Sequence, residues 1–335
     1  MKMSDFFSLK FHDNKLIFID QTKLPLVEEY ITTTNYERIA EAIEKLEIRG
    51  APAIGIAAAY ALALSIKGES QGLDEKFNIA YERLVRTRPT AVNLFWALDS
   101  IKRTYEANKN SATLFFLLIN KAMQIHKNDI NQCEAIAKNG VELLKDNSTI
   151  LTHCNTGKLA TGGEGTAFNI IKKGFELGKV KFVYADETRP LLQGSRLTAF
   201  ELSKANIPFQ ILIDSAAALL ISQKKINAVI VGADRIASNG DTANKIGTFN
   251  LALLCKQFNI PFYIAAPVST IDTSISSGEE IEIEMRSTDE LSFIKGTQIT
   301  KTDYDAYTPA FDVTPYYLIT AIITDKKVNK PPYIF

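Results

Sequence analysis

Two patterns of hydrophobic spacing meet near residue 147. Before it, apolar residues recur three and four positions apart, the period of helices with one buried face. After it, short β-branched runs alternate with helical stretches, the pattern of βαβ units and a parallel sheet. Opening the chain, Lys15 to Ile19 and Leu26 to Thr32 read as the strands of a short hairpin joined by the polar turn Asp20 to Leu24. Helical spacing starts at Tyr36. Gly50-Ala51-Pro52 leads into an alanine-rich run up to Ile66, with proline in the first helical turn, where its missing N–H costs nothing. Further helices are predicted near Leu73 to Val85, Pro89 to Asn108 and Ser111 to Lys145.

In the second part the predicted strands are Thr149 to His153, Lys181 to Ala185, Phe209 to Ile213, Ala228 to Gly232 and Phe262 to Ala266. Polar clusters follow them directly: Cys154-Asn155, Asp186-Glu187-Thr188-Arg189, Asp214-Ser215, Ala233-Asp234 and Pro267-Val268-Ser269. Ligands of open α/β sheets bind outside the carboxyl ends of the strands, so these clusters are expected to converge on one crevice. Loop polarity alone does not account for a cysteine, a lone aspartate after VIVGA and an arginine in that place. The predicted organisation is a mainly helical domain with a small antiparallel sheet over residues 1–146 and a parallel-sheet domain over 147–335.

Bulk properties narrow the function class. The chain has 335 residues, 46% of them hydrophobic, enough for two ordinary cores. Lys and Arg number 38, as do Asp and Glu, so no bulk charge draws the protein to nucleic acid or a membrane surface. Cys133, Cys154 and Cys255 show no paired spacing and read as reduced thiols of a cytoplasmic protein. The N-terminus has no apolar signal region, and the longest apolar stretch, Ile54 to Ile66, is too short to span a bilayer.

Cys154 is the first chemical candidate. It follows a strand and precedes the glycine cluster of LTHCNTGKLATGGEGT, which can open a helix. A helix N-terminus favours an anion, and a thiol in its field ionises more readily. The structural alternative is a buried cysteine beside a loop. Asp234 is approached by the apolar or small run Val229 to Ala233, so desolvation is expected to hold its proton and suit it as a general acid. Its alternative roles are a salt bridge to Arg235 or a helix cap.

Asn244 and Lys245, in a turn-rich stretch ahead of Phe249, are candidates for holding hydroxyls or phosphate, or belong to a solvated loop. Arg189, Gln193 and Arg196, at i, i+4 and i+7, are expected on one helical face. Arg49 and Arg88 each stand at a predicted helix start, where a cation without an anionic partner is electrostatically misplaced.

Competing motifs fail. Glycines 157, 162, 163 and 165 do not form the dinucleotide fingerprint, and no Walker A sequence is present. His12, His126 and His153 lack metal-ligand spacing, although His153 with Cys154 could contribute to a site. A Cys-His hydrolase is disfavoured because adjacent strand residues point to opposite faces.

Taken together, RGAPAIG at 49–55, RPTAVNL at 88–94, THCNTGKLAT at 152–161, DETRPLLQGSRLT at 186–198, GADRIASNGDTANKIGT at 232–248 and PFYIAAPVST at 261–270 resemble the methylthioribose-1-phosphate isomerases of methionine salvage. The resemblance covers most of the chain in the expected order. It implies a Rossmann-like C-terminal domain, a homodimer, a sugar-phosphate substrate, and no metal or organic cofactor. Carried over, Cys154 and Asp234 are the catalytic pair. Arg49, Gly50, Ala51, Arg88, Gln193, Asn244 and Lys245 match the positions that hold the sugar phosphate.

Two departures stand out: Glu164, where many relatives carry an aromatic, and Ser215, where Asn is common. A charge at Glu164 is expected to retune recognition of the far end of the sugar. It leaves 5-deoxyribose 1-phosphate as an alternative substrate. The same fold also serves regulatory subunits of a translation-initiation exchange factor, a binding role without this catalysis.

Overall fold

The computed structural model describes residues 6–69, 71–88 and 92–335. Two compact units divide the chain: Met1–Glu134 with Thr156–Phe168, and Ala135–Asn155 with Asn169–Phe335. The segment after Cys154-Asn155 therefore counts with the first unit, although it lies beyond the change of pattern at residue 147.

The first unit opens with a three-stranded antiparallel sheet, β1 (Leu9–His12), β2 (Lys15–Ile19) and β3 (Tyr30–Thr33), with β2 in the centre. The hairpin expected from the sequence is thus a three-stranded sheet, and its last strand starts later than Leu26. There Val27 N–H turns back to donate to the Lys23 carbonyl at 3.1 Å, so residues 23–27 form a turn instead of pairing.

Four helices follow, α1 (Tyr36–Glu44), α2 (Ala51–Leu64), α3 (Leu73–Val85) and α4 (Val92–Ala107). The long α5 (Leu114–Val141) begins in this unit and ends in the second. Of the stretch predicted as Pro89 to Asn108, residues 89–91 lie outside the described ones. Asn35 caps α1 by accepting from Glu37 N–H at 2.9 Å. α2 is apolar on every side, as befits a helix enclosed by its neighbours. Ile54 through Leu64 are all buried in a core shared with Phe18, Ile39, Phe77 and Leu98.

The second unit carries β4 (Ser148–Thr152), β5 (Val180–Asp186), β6 (Phe209–Leu212) and β7 (Ala228–Val231). Next come β8 (Arg235–Ala237), β9 (Thr242–Lys245), β10 (Phe262–Ala265) and β11 (Ile271–Asp272). They are followed by β12 (Phe293–Ile294), β13 (Thr297–Gln298), β14 (Phe311–Thr314), β15 (Ala321–Ile323) and β16 (Val328–Asn329). The helices are α6 (Ala167–Glu176), α7 (Ala199–Lys204), α8 (Ala217–Ser222), α9 (Thr248–Phe258) and α10 (Asp289–Ser292).

The large sheet runs β16-β15-β10-β7-β4-β5-β6, parallel throughout except for β16. Chain order reverses between β4 and β7, which lie side by side, so this is a doubly wound sheet with its switch point at that pair. Strands buried on both faces need continuous apolar sequence, and β7 and β10 are buried at every position. α8 and α9 supply Ile221, Leu251 and Ala252 to the core beside them. A smaller sheet, β11-β8-β9-β14, grows from the segment directly after β7.

Candidate active site

Cys154 and Asp234 follow β4 and β7, the two strands that flank the switch point. That is the crevice where an open α/β sheet binds its ligand. Cys154 adopts φ +62°, a left-handed conformation uncommon for a residue with a side chain. Two threonines hold it there. Its N–H donates to Thr188 Oγ1 at 2.9 Å, and its carbonyl accepts from Thr198 Oγ1 at 2.5 Å. Strain of this kind, on the order of 1–3 kcal/mol, persists only where the surroundings impose it. Asn155 beside it is buried and donates to the buried Glu201 at 2.8 Å.

The chain that supplies both threonines departs from expectation. Gly194–Thr198 winds as a π-helix preceded by turns, so Arg189, Gln193 and Arg196 do not share one regular α-helical face. Gln193 is buried while the two arginines are half-buried. Its Oε1 is enclosed without a hydrogen-bond partner, a cost unless something that is bound there donates to it. The wide turn is packed onto the end of β5. A Cβ at Gly194 would sit 1.6 Å from the Asp186 carbonyl oxygen, so only glycine fits.

Asp234 is half-buried, and its N–H donates to the Ala243 carbonyl at 2.9 Å, which places it beside β9. Arg235, a possible partner on sequence grounds, directs its guanidinium to Asp272. Asn244 and Lys245 lie on β9, so within the turn-rich stretch Thr242–Lys245 is a strand. Asn244 Nδ2 donates to Thr248 Oγ1 at 2.9 Å. Lys245 Nζ donates to the Ala310 carbonyl at 3.0 Å and lies 4.5 Å over the Phe311 ring. The turn after them is pinned by Asp312, which accepts from Gly247 and Phe249 N–H at 2.7 and 3.0 Å and so caps α9.

His153 points away from solvent between two oxygen acceptors, Asp186 Oδ2 at 2.9 Å and the Ile246 carbonyl at 2.8 Å. Burial opposes a charged ring, but the Asp186 carboxylate and the carbonyl outweigh it and raise the pKa of His153. Burial also pushes Asp186 up, to about 6, against the pull of His153. Asp214 accepts from Thr188 and Arg189 N–H at 2.7 and 2.8 Å. Among the described residues, His153, Asp186 and Asp214 are the group whose ligand atoms come within 4.8 Å of one another. Nε2 is engaged by the Ile246 carbonyl, and the Asp214 carboxylate by two backbone N–H groups.

The remaining predicted residues are in the first unit. Gly50 is the N-cap of α2 at φ +89°, and a Cβ there would lie 2.5 Å from Ala160 Cα. Arg49 precedes this cap, Ala51 is the first helical residue, and Arg88 follows the turn after α3; both arginines are half-buried. Gly157 of the glycine cluster is the N-cap of a short 3-10 helix, Lys158–Ala160. Gly157 bridges Gly165 to close a loop, and α6 begins at Ala167. Glu164 pairs with Lys158 at 2.7 Å, so its charge is balanced within that loop. Asp186, Thr188 and Thr198 lay inside motifs singled out from the sequence, but nothing in their spacing marked them as the supports of Cys154.

Residues 47–331 match the Initiation factor 2 subunit family. The methylthioribose-1-phosphate isomerase of Thermotoga maritima is 50% identical over 97% of this chain and 95% of its own. A crystal structure of 5-methylthioribose 1-phosphate isomerase from Pyrococcus horikoshii superposes with a TM-score of 0.93 at 40% identity, covering 99% of this chain and 94% of that one. The structure described as translation initiation factor eIF-2B, subunit delta, from A. fulgidus gives 0.89 at 39%, covering 98% and 97%. No helix among the described residues is long and apolar enough to cross a membrane. The chain belongs to the initiation factor 2 subunit family and, within it, to the methylthioribose-1-phosphate isomerases.

Proposed function

We propose that this protein converts 5-methylthioribose 1-phosphate to 5-methylthioribulose 1-phosphate, an aldose–ketose isomerisation in methionine salvage. The observation that carries the reading is the emergence of Cys154 and Asp234 from the two strands at the switch point. The phosphate blocks the anomeric oxygen, so the ring must open with the phosphate still attached. Asp234, protonated, donates to the ring oxygen as the C–O bond breaks. Hydrogen then moves from C2 to C1, and the C2 hydroxyl, as it becomes the carbonyl, returns a proton to the Asp234 carboxylate. The C2 hydrogen travels either as a proton through an enolate, with Cys154 as base, or as a hydride while Cys154 steadies the developing charge.

Gln193, whose carbonyl oxygen lacks a donor, suits a sugar hydroxyl. Asn244 and Lys245 are assigned with it to the sugar phosphate. Arg49, Gly50, Ala51 and Arg88 receive the same assignment on the resemblance. Exposed Ile211 on the edge strand β6, Ile213 just after it and Leu219 on α8 support the expected homodimer. The three buried free cysteines suit a cytoplasmic setting.

Turnover of 5-methylthioribose 1-phosphate and 5-deoxyribose 1-phosphate, compared side by side with the product identified as the ketose phosphate, tests the reaction and the substrate together. Preference for the deoxy sugar would reassign the substrate. No turnover of either would favour the binding role suggested by the likeness to the initiation factor subunit. Asp234→Asn is expected to bind substrate without turning it over, because an amide keeps the shape but releases no proton.

A further inference from the structure

We propose that His153 is a positioning residue of this active site: as an imidazolium held by Asp186, it ties the strand end that carries Cys154 to the turn that follows Asn244 and Lys245. The kinetic arm of the proposal rests on the isomerase reading above.

His153 immediately precedes Cys154, and its side chain and that of Asp186 are each 1% exposed. The ring bridges Asp186 at the end of β5 and the carbonyl of Ile246, the residue after β9. A carbonyl only accepts, so Nε2 carries a hydrogen. Asp186 Oδ1 is buried without a partner, which leaves the other oxygen, against Nδ1, as the main support of the carboxylate. A hydrogen on Nδ1 as well meets both acceptors at once. A neutral imidazole beside an ionised Asp186 would face one of them with a lone pair. The remaining arrangement, a neutral ring accepting from a protonated Asp186, carries one ring N–H and is told apart by the spectra below.

Each end of the bridge is itself anchored. Ile246 N–H donates to the Ala310 carbonyl at 3.0 Å, and Asp312 holds the next turn of backbone. At the other end, the Thr188 hydroxyl donates to the Asp186 carbonyl at 3.0 Å and accepts from Cys154 N–H. One buried ring therefore joins three strand ends: that of Cys154, that leading to Gln193, and that of Asn244 and Lys245. Displacements of about 1 Å within such an arrangement can slow a reaction 10²-fold. Besides Asp186, the charged groups that bear on the ring are Asp214 after β6 and Asp312 on β14, with Glu187 acting on Asp186.

The chain has three histidines, so nitrogen-15 spectra of the histidine rings are readily assigned. The His153 ring is expected to be doubly protonated at pH 7, with two slowly exchanging N–H protons. A singly protonated ring at pH 7 overturns the proposal. In turnover, His153→Asn preserves a donor at the Nδ1 position but loses the reach to Ile246, and kcat should fall at least 10-fold. His153→Gln, whose amide reaches the Nε2 position, should recover part of that loss. Full kcat in His153→Asn, or unmoved amide resonances of Asn244 and Lys245 in it, also overturns the proposal. Should the variants fail to fold, the wild-type ring signals still decide. Those signals need no substrate, so loss of the isomerase reading would leave them standing.

Discussion

Cys154 is one of three cysteines, and the structure separates it from the other two by what surrounds it. Burial pushes the Cys133 thiol far up, with the Asp129 carboxylate adding to the effect, and pushes the Cys255 thiol to about 12. Neither suits a proton carrier at neutral pH. Cys154 alone of the three follows a strand at the switch point and sits in left-handed backbone. Cys154→Ala is expected to lower kcat by about 10² to 10⁴ while circular dichroism stays unchanged. Cys133→Ala and Cys255→Ala should retain turnover, and loss of activity in either would point to a different thiol. The candidacy of Cys154 was legible from its place between a β-rich run and a glycine cluster. Its strained φ was not, because the threonines that impose it lie 34 and 44 positions away.

The π-helical turn Gly194–Thr198 is the element that most shapes the crevice, and the one that local pattern described least well. Apolar spacing there suggests an ordinary helix. Contact with the end of β5 widens it, and Gly194 makes that contact possible. Gly194→Ala would force Cβ into the Asp186 carbonyl. It is expected to destabilise the fold by about 2 kcal/mol or more and to lower kcat by displacing Thr198 from Cys154. Thermal melting and turnover check both. A variant with unchanged melting and turnover would mean that the turn shifts freely and does not set the geometry of Cys154. Strand β9 departs from local pattern for a related reason. Thr242–Lys245 is polar, and it is a strand because β8 and β14 pair with it on either side.

Stability is expected to depend on pH through Asp129. It is buried and accepts from Gly162 N–H at 2.6 Å, yet burial lifts its pKa to about 6. The folded state therefore holds this proton more tightly than the unfolded chain, where the pKa is about 4. The charge disfavours folding at pH 7, and the penalty is relieved as pH falls from about 6 to about 4, by at most about 3 kcal/mol. Melting temperatures of wild type and Asp129→Asn should therefore diverge between pH 7 and pH 5, with wild type gaining relative to the variant. Parallel curves would show that Asp129 does not titrate there. Assembly is testable in the same preparations. On the proposed homodimer, the wild type is expected to sediment as a dimer and Ile213→Lys, just after β6, as a monomer; a monomeric wild type would reject the dimer, and a dimeric variant would move the interface elsewhere.

The succession of helices and βαβ units, and the positions of the first five helices and of five of the six parallel strands of the large sheet, follow from hydrophobic period alone, since burial of a face is a local property of the chain. The helices after β4 and strand β15 were not placed by it. α3 and β2 fall on the residues expected of them. Chemistry at the strand ends was equally legible, because doubly wound sheets bind ligand at one edge whatever the ligand is. Folding alone brings β4 beside β7, and so sets Cys154 and Asp234 on either side of the switch point although they lie far apart in the chain. Folding likewise turned His153, on sequence a doubtful neighbour of the cysteine, into a bridge between Asp186 and Ile246. Those relations depend on partners distant in sequence, and no local pattern encodes which distant group a buried side chain will meet.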